Sequence, residues 1–591
     1  MYNAAGAEYQ VASLAVASLQ GRKRGPACLA KAHGNEPSCQ PDRWRSHPFV
    51  RKERVRMWSS RTWHWSLIVA LAGCSAAPTA QDSVGTASQE VIAFGHAVTP
   101  SGGPRAAETS TLINSSGNLV ITYMYDDPGH IKYTTSTDPN KARTVSYGAS
   151  QMGWSVSSGG ARTDGLVLGA TFSAPKRLTP PSGWAVLWGD PAIGQVPGTP
   201  FVYMTNLAVP NSKFPCARRR SGRCVTQGVI SGDFTPYMGG ACIARSTDGG
   251  VTFSLSSADC VHSPSFDFYD GSEVVGSTNV ITGAHAVVAA FTNSITNHID
   301  VWAASSTTGG FSQLGNPFPN EVMGSHPRLL AWGDQFYLLG VAGNRLLLQR
   351  YDSAANSWAS AADGYPKVVA TDFNEINFLF GSGTFFGRRG VNFDLAVDTW
   401  DDGFQGDDAI LVAYTSSATS SAGRLHSVLM KSYCSLASGQ TCFSSGLWDL
   451  PRGDALSPNL SGAVVRDGSG AWTTALKLTF IQQAPTDPPS PPSPLISIYS
   501  GNMGASNGGM LTDVRLEVGF QKPCTTTIPG SGFWGDYDAH MGVYQKTEAD
   551  LPVFFRAFSD STDGHGNSAC TSQTYFNSAP LQVSYAQIRY P

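Results

Sequence analysis

The chain has 591 residues, and only 14% are Asp, Glu, Lys or Arg, against roughly 25% in an average soluble protein. That excludes a long coiled coil and charge-driven disorder, while 63 Gly, 36 Pro and 10% aromatics suit many short strands joined by turns. The formal net charge of -3 gives no electrostatic ground for nucleic acid as a partner.

Residues 1–56 read as an upstream extension, with the basic clusters Arg22-Lys23-Arg24 and Arg51-Lys52 and little apolar periodicity. Met57 then opens MWSSRTWHWSLIVALAGCSAAPTAQ, with Arg61 as a positive n-region. Its apolar core, Leu67 to Ala72, is far shorter than the about 20 residues a spanning helix needs. Leu71-Ala72-Gly73-Cys74 resembles the bacterial lipobox. The resemblance implies that 57–73 is a lipoprotein signal peptide and that Cys74 is lipidated as the new N-terminus. Ser75 in place of Asp then implies the outer membrane or cell surface. An ordinary secretory signal with an incidental Cys is the alternative. Residues 74–107, rich in Ala, Ser, Thr and Gly, read as a flexible tether before a domain at 108–591.

Of 11 Cys, two lie in 1–56 and one is Cys74. The other eight are Cys216, Cys224, Cys242, Cys260, Cys434, Cys442, Cys524 and Cys570. An even number in an exported chain suggests disulfides, and sequence alone allows 105 pairings. Local spacing favours 216–224 and 434–442 as pinned loops and 242–260 as a hairpin clasp, which leaves 524–570. There is no CxxC and no His at ligand spacing, so a zinc site is not expected.

From residue 108 onward a loose unit recurs: an apolar strand, a turn, a strongly apolar strand, and a third strand closing on Ser, Asp or Gly. In chain order the copies fall at 118–138, 188–253, 270–311, 326–358, 393–434, 457–501 and 534–590. The strands run five to nine residues between Gly, Pro, Asn and Asp, and no segment shows a sustained helical period. Such units imply an all-β fold, a β-propeller of six or seven blades, in which radial closure protects the sheet edges. A pair of β-sandwiches would explain the strands but not the order of the units. Pro-rich 484–494 reads as an extended, exposed loop.

Ser246-Thr247-Asp248-Gly249-Gly250-Val251-Thr252-Phe253 resembles the Asp-box of the sialidase-like propellers, with Phe253 replacing the usual Trp. Weaker echoes stand at Ser136 to Asp138, Ser306 to Phe311, Asp352 to Trp358 and Ser561 to Gly564. In that motif the carboxylate accepts backbone N–H groups, Gly takes positive φ and the aromatic wedges between sheets. The resemblance covers roughly 108–591. It makes Ser246, Asp248, Gly250 and Phe253 structural rather than catalytic.

Gly189-Asp190-Pro191 and Gly535-Asp536-Tyr537, each after a Trp, resemble the inner-strand openings of exported bacterial propellers. Setting the units in parallel places Asp190, Glu273, His326, Arg328, Asp394, Asn459, Asp536, Asp538 and His540 near one ring at the channel mouth. The ligand-binding candidates are Asp190, Glu273, Arg328, Asp394, Asp536 and Asp538. Strand-end capping is the plainer reading for any one of them. The family resemblance implies three Arg gripping a carboxylate, a Tyr nucleophile with a Glu, and an Asp acid/base. Yet the Phe/Tyr-Arg-Ile-Pro opening is absent, and Arg328 is the one Arg near an inner-strand start. Arg515, Arg556 and Arg589 fall on or near later strands. The catalytic candidates are therefore Arg328, Asp394, Asp536 and Tyr537.

These residues lead to a surface propeller that recognises glycans or glycoproteins without standard sialidase activity. A glycoside hydrolase acting on acidic sugars is one alternative. A scaffold or adhesin using the basic run Arg218-Arg219-Arg220 and Arg223 is another. The expected partners are glycans and, through the lipid anchor, a membrane; a monomer and no nucleic acid are expected. No cofactor is called for, although a structural cation such as calcium would be compatible. HExxH, GxSxG, P-loop and dinucleotide motifs are absent.

Overall fold

We describe the protein from a computed structural model. It describes residues 94–98, 105–126, 152–157, 172–210, 216–220, 223–227, 239–261, 269–279, 282–293, 295–307, 310–324, 326–373, 393–398, 409–416, 428–435, 442–448, 455–466, 472–483, 495–503, 511–521, 540–545, 552–560 and 582–589. Contacts divide the chain into residues 9–90 and a second unit, 1–8 with 91–591, which holds every described residue.

The fold is all-β, as anticipated. Among the described residues there are seven antiparallel sheets of four or five strands and one two-stranded ribbon. Sheet 1 begins with Arg105–Ile113, sheet 2 with Trp184–Gln195, sheet 3 with Tyr269–Thr278 and sheet 4 with Arg328–Trp332. Sheet 5 begins with Phe393–Asp398, sheet 6 with Ala455–Arg466 and sheet 7 with Gly542–Tyr544. Each first strand pairs with the second, and the order proceeds outward as a meander. The first strands touch one another in turn from sheet 1 to sheet 7, and that of sheet 7 touches that of sheet 1.

The composition of each second strand follows from this stacking. Val202–Pro210 is buried at every position because it has a neighbouring sheet on both faces. Side chains alternate across a strand, so its residues divide between two cores. Val202, Met204 and Ala208 pack with Val120, Met152 and Trp154 of sheet 1. Tyr203, Leu207 and Val209 pack with Val274, Val287 and Phe291 of sheet 3. Further cores join sheets 3 and 4, sheets 4 and 5, and sheets 7 and 1. The core is thus a series of seams between sheets.

One element falls where a tether was expected. Phe94–Val98 is a strand, antiparallel to Gln582–Arg589 at the outer edge of sheet 7. The segment FGHAV lies in an Ala/Ser/Thr/Gly-rich stretch, so composition alone masks its pairing. Cys242 and Cys260 face each other across adjacent strands of sheet 2 and form a disulfide. Cys442 is disulfide-bonded, with Cys434 as its backbone partner in sheet 5. In the two-stranded ribbon, Cys216 stands opposite Gln227 and Cys224 opposite Arg219. Cys74, Cys524 and Cys570 lie outside the described residues. No helix among the described residues is long and apolar enough to cross a membrane.

The turn at Ser246 to Phe253 is held by its own side chains. Asp248 Oδ1 accepts the Thr252 N–H at 2.9 Å and the Ser246 hydroxyl at 2.7 Å. Its Oδ2 accepts the Thr252 hydroxyl at 2.6 Å, and the Gly250 N–H donates to Ser246 Oγ at 2.8 Å. Gly249 and Gly250 both have positive φ, and Phe253 meets Trp154 of sheet 1 edge-on, with ring centroids 5.2 Å apart.

Candidate functional site

The first strands of four sheets deliver charge to one place. Glu273 (sheet 3), Arg328 (sheet 4), Asp394 (sheet 5) and His540, just before the first strand of sheet 7, form a connected cluster. Arg328 Nη1 donates to Glu273 Oε2 at 3.0 Å. Its Nε stands 3.7 Å from Asp394 Oδ1, a charge pairing without a hydrogen bond. His540 Nε2 lies 2.6 Å from Glu273 Oε1, close but not aligned for a regular hydrogen bond. Asp394 also accepts the Leu395 N–H at 3.0 Å and the Leu460 N–H of sheet 6 at 2.8 Å. Glu273, Arg328 and Asp394 are buried, whereas the His540 side chain is 20% exposed.

A repeated backbone step creates this convergence. Asp190, His326 and His540 have φ of 54°, 64° and 58°, and Gly271 has 59°. Each lies two residues before Ala192, Glu273, Arg328 or Gly542; Arg328 and Gly542 open their first strands, whereas Ala192 and Glu273 follow a break in register within theirs. Left-handed non-Gly residues are costly and gather at functional sites and tight caps. Here the step carries the chain into the strand so that neighbouring sheets interlock. Asp190 Oδ2 accepts the Gly271 N–H at 2.8 Å, and its carbonyl accepts the Ser272 hydroxyl. A Cβ on Gly271 would come within 2.8 Å of the His326 backbone, so this position requires glycine.

The two carboxyls are pushed in opposite directions. Burial raises Glu273, but His540 and Arg328 outweigh it and hold the carboxyl below its ordinary value. For Asp394 burial prevails over Arg328, His540 and two backbone N–H groups, so its pKa is raised. Glu273 is the persistent carboxylate of the pair and Asp394 the better proton holder.

The sequence-derived candidates divide accordingly. Glu273, Arg328 and Asp394 are brought together, and Asp190 stands on the neighbouring step, bonded to sheet 3. Asn459 is fully buried at the head of sheet 6, next to Leu460. Asp536, Tyr537 and Asp538 lie outside the described residues. His540 belonged to the expected ring but not to the binding candidates; its signal was its place beside Asp536 and Asp538 when the units are set in parallel. Arg556, on the second strand of sheet 7, is fully buried and donates to Thr479 Oγ1 of sheet 6 at 2.9 Å. The acidic groups that Arg328 meets are the protein's own Glu273 and Asp394. Among the described residues, no cluster of His, Cys, Asp and Glu has the geometry of a metal site.

No protein-family model matches the chain, and no curated protein matches it. Solved structures with a similar arrangement include a Trypanosoma rangeli sialidase in complex with the inhibitor DANA. It is 12% identical, with a TM-score of 0.32, over 65% of this chain and 53% of that one. The match thus spans about half of the sialidase's length. A Dyadobacter fermentans protein of unknown function is 8% identical over 84% of this chain and all of that one, with a TM-score of 0.35. A GH32 β-fructofuranosidase of Bombyx mori is 11% identical over 84% and 93%, with a TM-score of 0.28.

Proposed function

We propose that residues 108–591, joined by the strand Phe94–Val98, form a closed seven-bladed propeller of the sialidase-like kind that binds glycans at its channel mouth. The observation that carries this reading is the convergence of Glu273, Arg328, Asp394 and His540 from four sheets into one cluster along the first strands. A propeller gathers the starts of its innermost strands at one mouth of its channel, and polar side chains over a buried charged floor suit sugar hydroxyls. Arg328 is the counter-ion of that floor, with its guanidinium taken up by Glu273 and Asp394. Contacts to ligand fall to His540 and to the rim candidates Asp536 and Asp538. The Ser246 to Phe253 turn serves as an Asp-box, an architectural device.

In this reading the protein is exported, with Cys74 lipid-anchored at the outer membrane, and acts as a monomer. The Cys74→Ser variant should leave the membrane fraction, as metabolic lipid labelling with fractionation would check.

The test of the site is a glycan array on the wild type and on His540→Gln and Asp536→Asn. Each loss of a charged hydrogen bond should cost about 1.5–3 kcal/mol of binding, roughly a tenfold weakening or more. Binding untouched by both substitutions would remove the site from the channel mouth. A second reading is a glycoside hydrolase. It is favoured by the opposite displacement of the Glu273 and Asp394 pKa values, the pattern that separates acid from base roles. Fluorogenic sialoside turnover abolished by Asp394→Asn would establish it over pure recognition.

A further inference from the structure

The basic run of the sequence has a place in the fold that the channel mouth does not explain. In the strand Val202–Pro210, Thr205 stands opposite Ala192 and Pro210 opposite Trp184, so this strand ends at the side of sheet 2 where Asp190 lies. The next strand of the sheet, Gly240–Ser246, starts at the same end, with Gly240 opposite Ala208. The corresponding connection runs only from Asn293 to His298 in sheet 3 and from Ala342 to Arg345 in sheet 4. In sheet 2 it takes residues 211–239, and within it Cys216–Arg220 and Arg223–Gln227 pair as the two-stranded ribbon. Residues 211–215 span at most about 20 Å, which keeps the start of the ribbon within reach of the mouth end of its sheet. A propeller sheet closes without such an insertion, and long surface connections are where binding residues concentrate.

The charge of this insertion is opposite to that of the chain. Residues 211–239 hold Lys213, Arg218, Arg219, Arg220 and Arg223 against the single acid Asp233, in a chain whose net charge is -3. The four arginines all fall on the ribbon, and its register sets Arg220 directly opposite Arg223. Like charges directly opposite each other destabilise a strand pair, and a two-stranded ribbon is marginal to begin with. Among the described elements the ribbon strands pack chiefly against each other, and no larger sheet takes them in. A polyanion laid along the ribbon turns this repulsion into attraction. Each guanidinium presents a planar fork that fits a carboxylate or a sulfate.

We propose that the ribbon of Cys216–Arg220 and Arg223–Gln227 binds an acidic polysaccharide, a chain of repeated carboxylate or sulfate groups, through Arg218, Arg219, Arg220 and Arg223. A single polysaccharide chain suits an element two strands wide. A duplex nucleic acid or a bilayer is broad enough to cover the mouth as well. It would bring its phosphates against an end of the protein where Asp190, Glu273 and Asp394 outnumber Arg328. The choice of a polysaccharide as the polyanion rests on the glycan reading of the channel mouth; the anion site on the ribbon does not. The ribbon holds the acidic chain beside the mouth, and the mouth remains a separate contact.

The test measures binding of the full chain to polygalacturonate, dextran sulfate, neutral dextran, DNA and phosphatidylglycerol vesicles, by biolayer interferometry at low and high salt. Saturable binding of polygalacturonate and dextran sulfate is expected, and it should weaken as salt rises. The triple variant Arg218→Gln, Arg220→Gln, Arg223→Gln should bind roughly tenfold more weakly or worse. Its thermal unfolding should match or exceed that of the wild type, because the exchange removes the opposed charges at 220 and 223. That separates a lost site from a lost fold. Equal affinity in the wild type and the triple variant overturns the ribbon as the site, and neutral dextran binding as tightly as dextran sulfate overturns the role of charge. Tighter, arginine-dependent binding of DNA or vesicles overturns the polysaccharide as partner. The His540→Gln variant separates the two sites. Acidic chains lost by His540→Gln and kept by the triple variant would belong to the mouth, overturning this inference and supporting that reading. Acidic chains lost only by the triple variant leave the ribbon standing, whatever the glycan array finds at the mouth.

Discussion

The turn at Asp248 and the cluster at Glu273 are both organised by carboxylates, yet they are built on opposite principles. Asp248 takes its hydroxyl and backbone donors from residues two and four positions away. Glu273 accepts the N–H of its neighbour Val274, but its other partners come from residue 328, one sheet on, and residue 540, near the other end of the chain. The bonds to the Asp248 carboxylate need only these eight residues, although Asn114 and Lys176 also reach the turn's backbone from outside. The cluster exists only when sheets 3, 4, 5 and 7 are all in place. A carboxylate with local donors stabilises a corner, whereas one with distant partners reports on the assembly as a whole.

The sharpest way to break this contrast is to remove Arg328. Arg328→Met would leave Glu273 and Asp394 buried without their shared cation, and should cost about 3–5 kcal/mol in urea unfolding. A loss under about 1 kcal/mol would show that the cluster is solvated and that its burial has been overstated. Next in size is the clasp beside the turn. Replacing Cys242 and Cys260 by Ala should cost about 2–4 kcal/mol, with Asp248 and its turn intact. If the double variant instead disorders 246–253 by hydrogen exchange, the turn is not self-sufficient. Smaller again is Asp248→Ala, expected to cost about 1 kcal/mol because the bonds it loses are largely exposed.

The finest distinction is in pH. The folded pKa of Glu273 is depressed, so its contribution is present above the ordinary carboxyl value and is lost as pH falls through the folded value. The folded pKa of Asp394 is raised, so its contribution is present in acid and is lost as pH rises through the folded value. Unfolding from pH 3 to 7 should therefore show Asp394→Asn with a flatter fall toward neutral pH than the wild type. An unchanged profile would mean that Asp394 titrates normally.

Much of this was visible in the chain itself. Apolar runs such as Phe201 to Val209 and Phe336 to Val341, bounded by Gly, Asn and Asp, mark the second strands without ambiguity. The Ser246 to Phe253 turn was legible because the bonds of its own side chains are local; the donors and acceptor that reach its backbone from Asn114, Lys176 and Pro200 were not. Placing repeat units in parallel brought out Glu273, Arg328 and Asp394, since each opens a unit. It could not reveal that Arg328 is spent on the protein's own carboxylates. That depends on how far the side chain reaches into a neighbouring sheet, which no spacing encodes. His540 was underrated for the same reason: its partner is 267 positions earlier in the sequence. The strand Phe94–Val98 was hidden because its pairing partner, Gln582–Arg589, comes at the far end of the chain.

That last pairing has a consequence for synthesis. A ribosome delivers Phe94–Val98 long before Gln582–Arg589, so among the described sheets sheet 7 waits for the strand that comes last in chain order. Until that strand is made, the early one stands as an open edge, an unfilled seat carried through the synthesis of the six other sheets. A stop codon between Asp560 and Gln582 would remove the partner strand and leave its two neighbours each unmatched on one side. Such a truncation should therefore be far more damaging than loss of an equal number of residues from a surface loop.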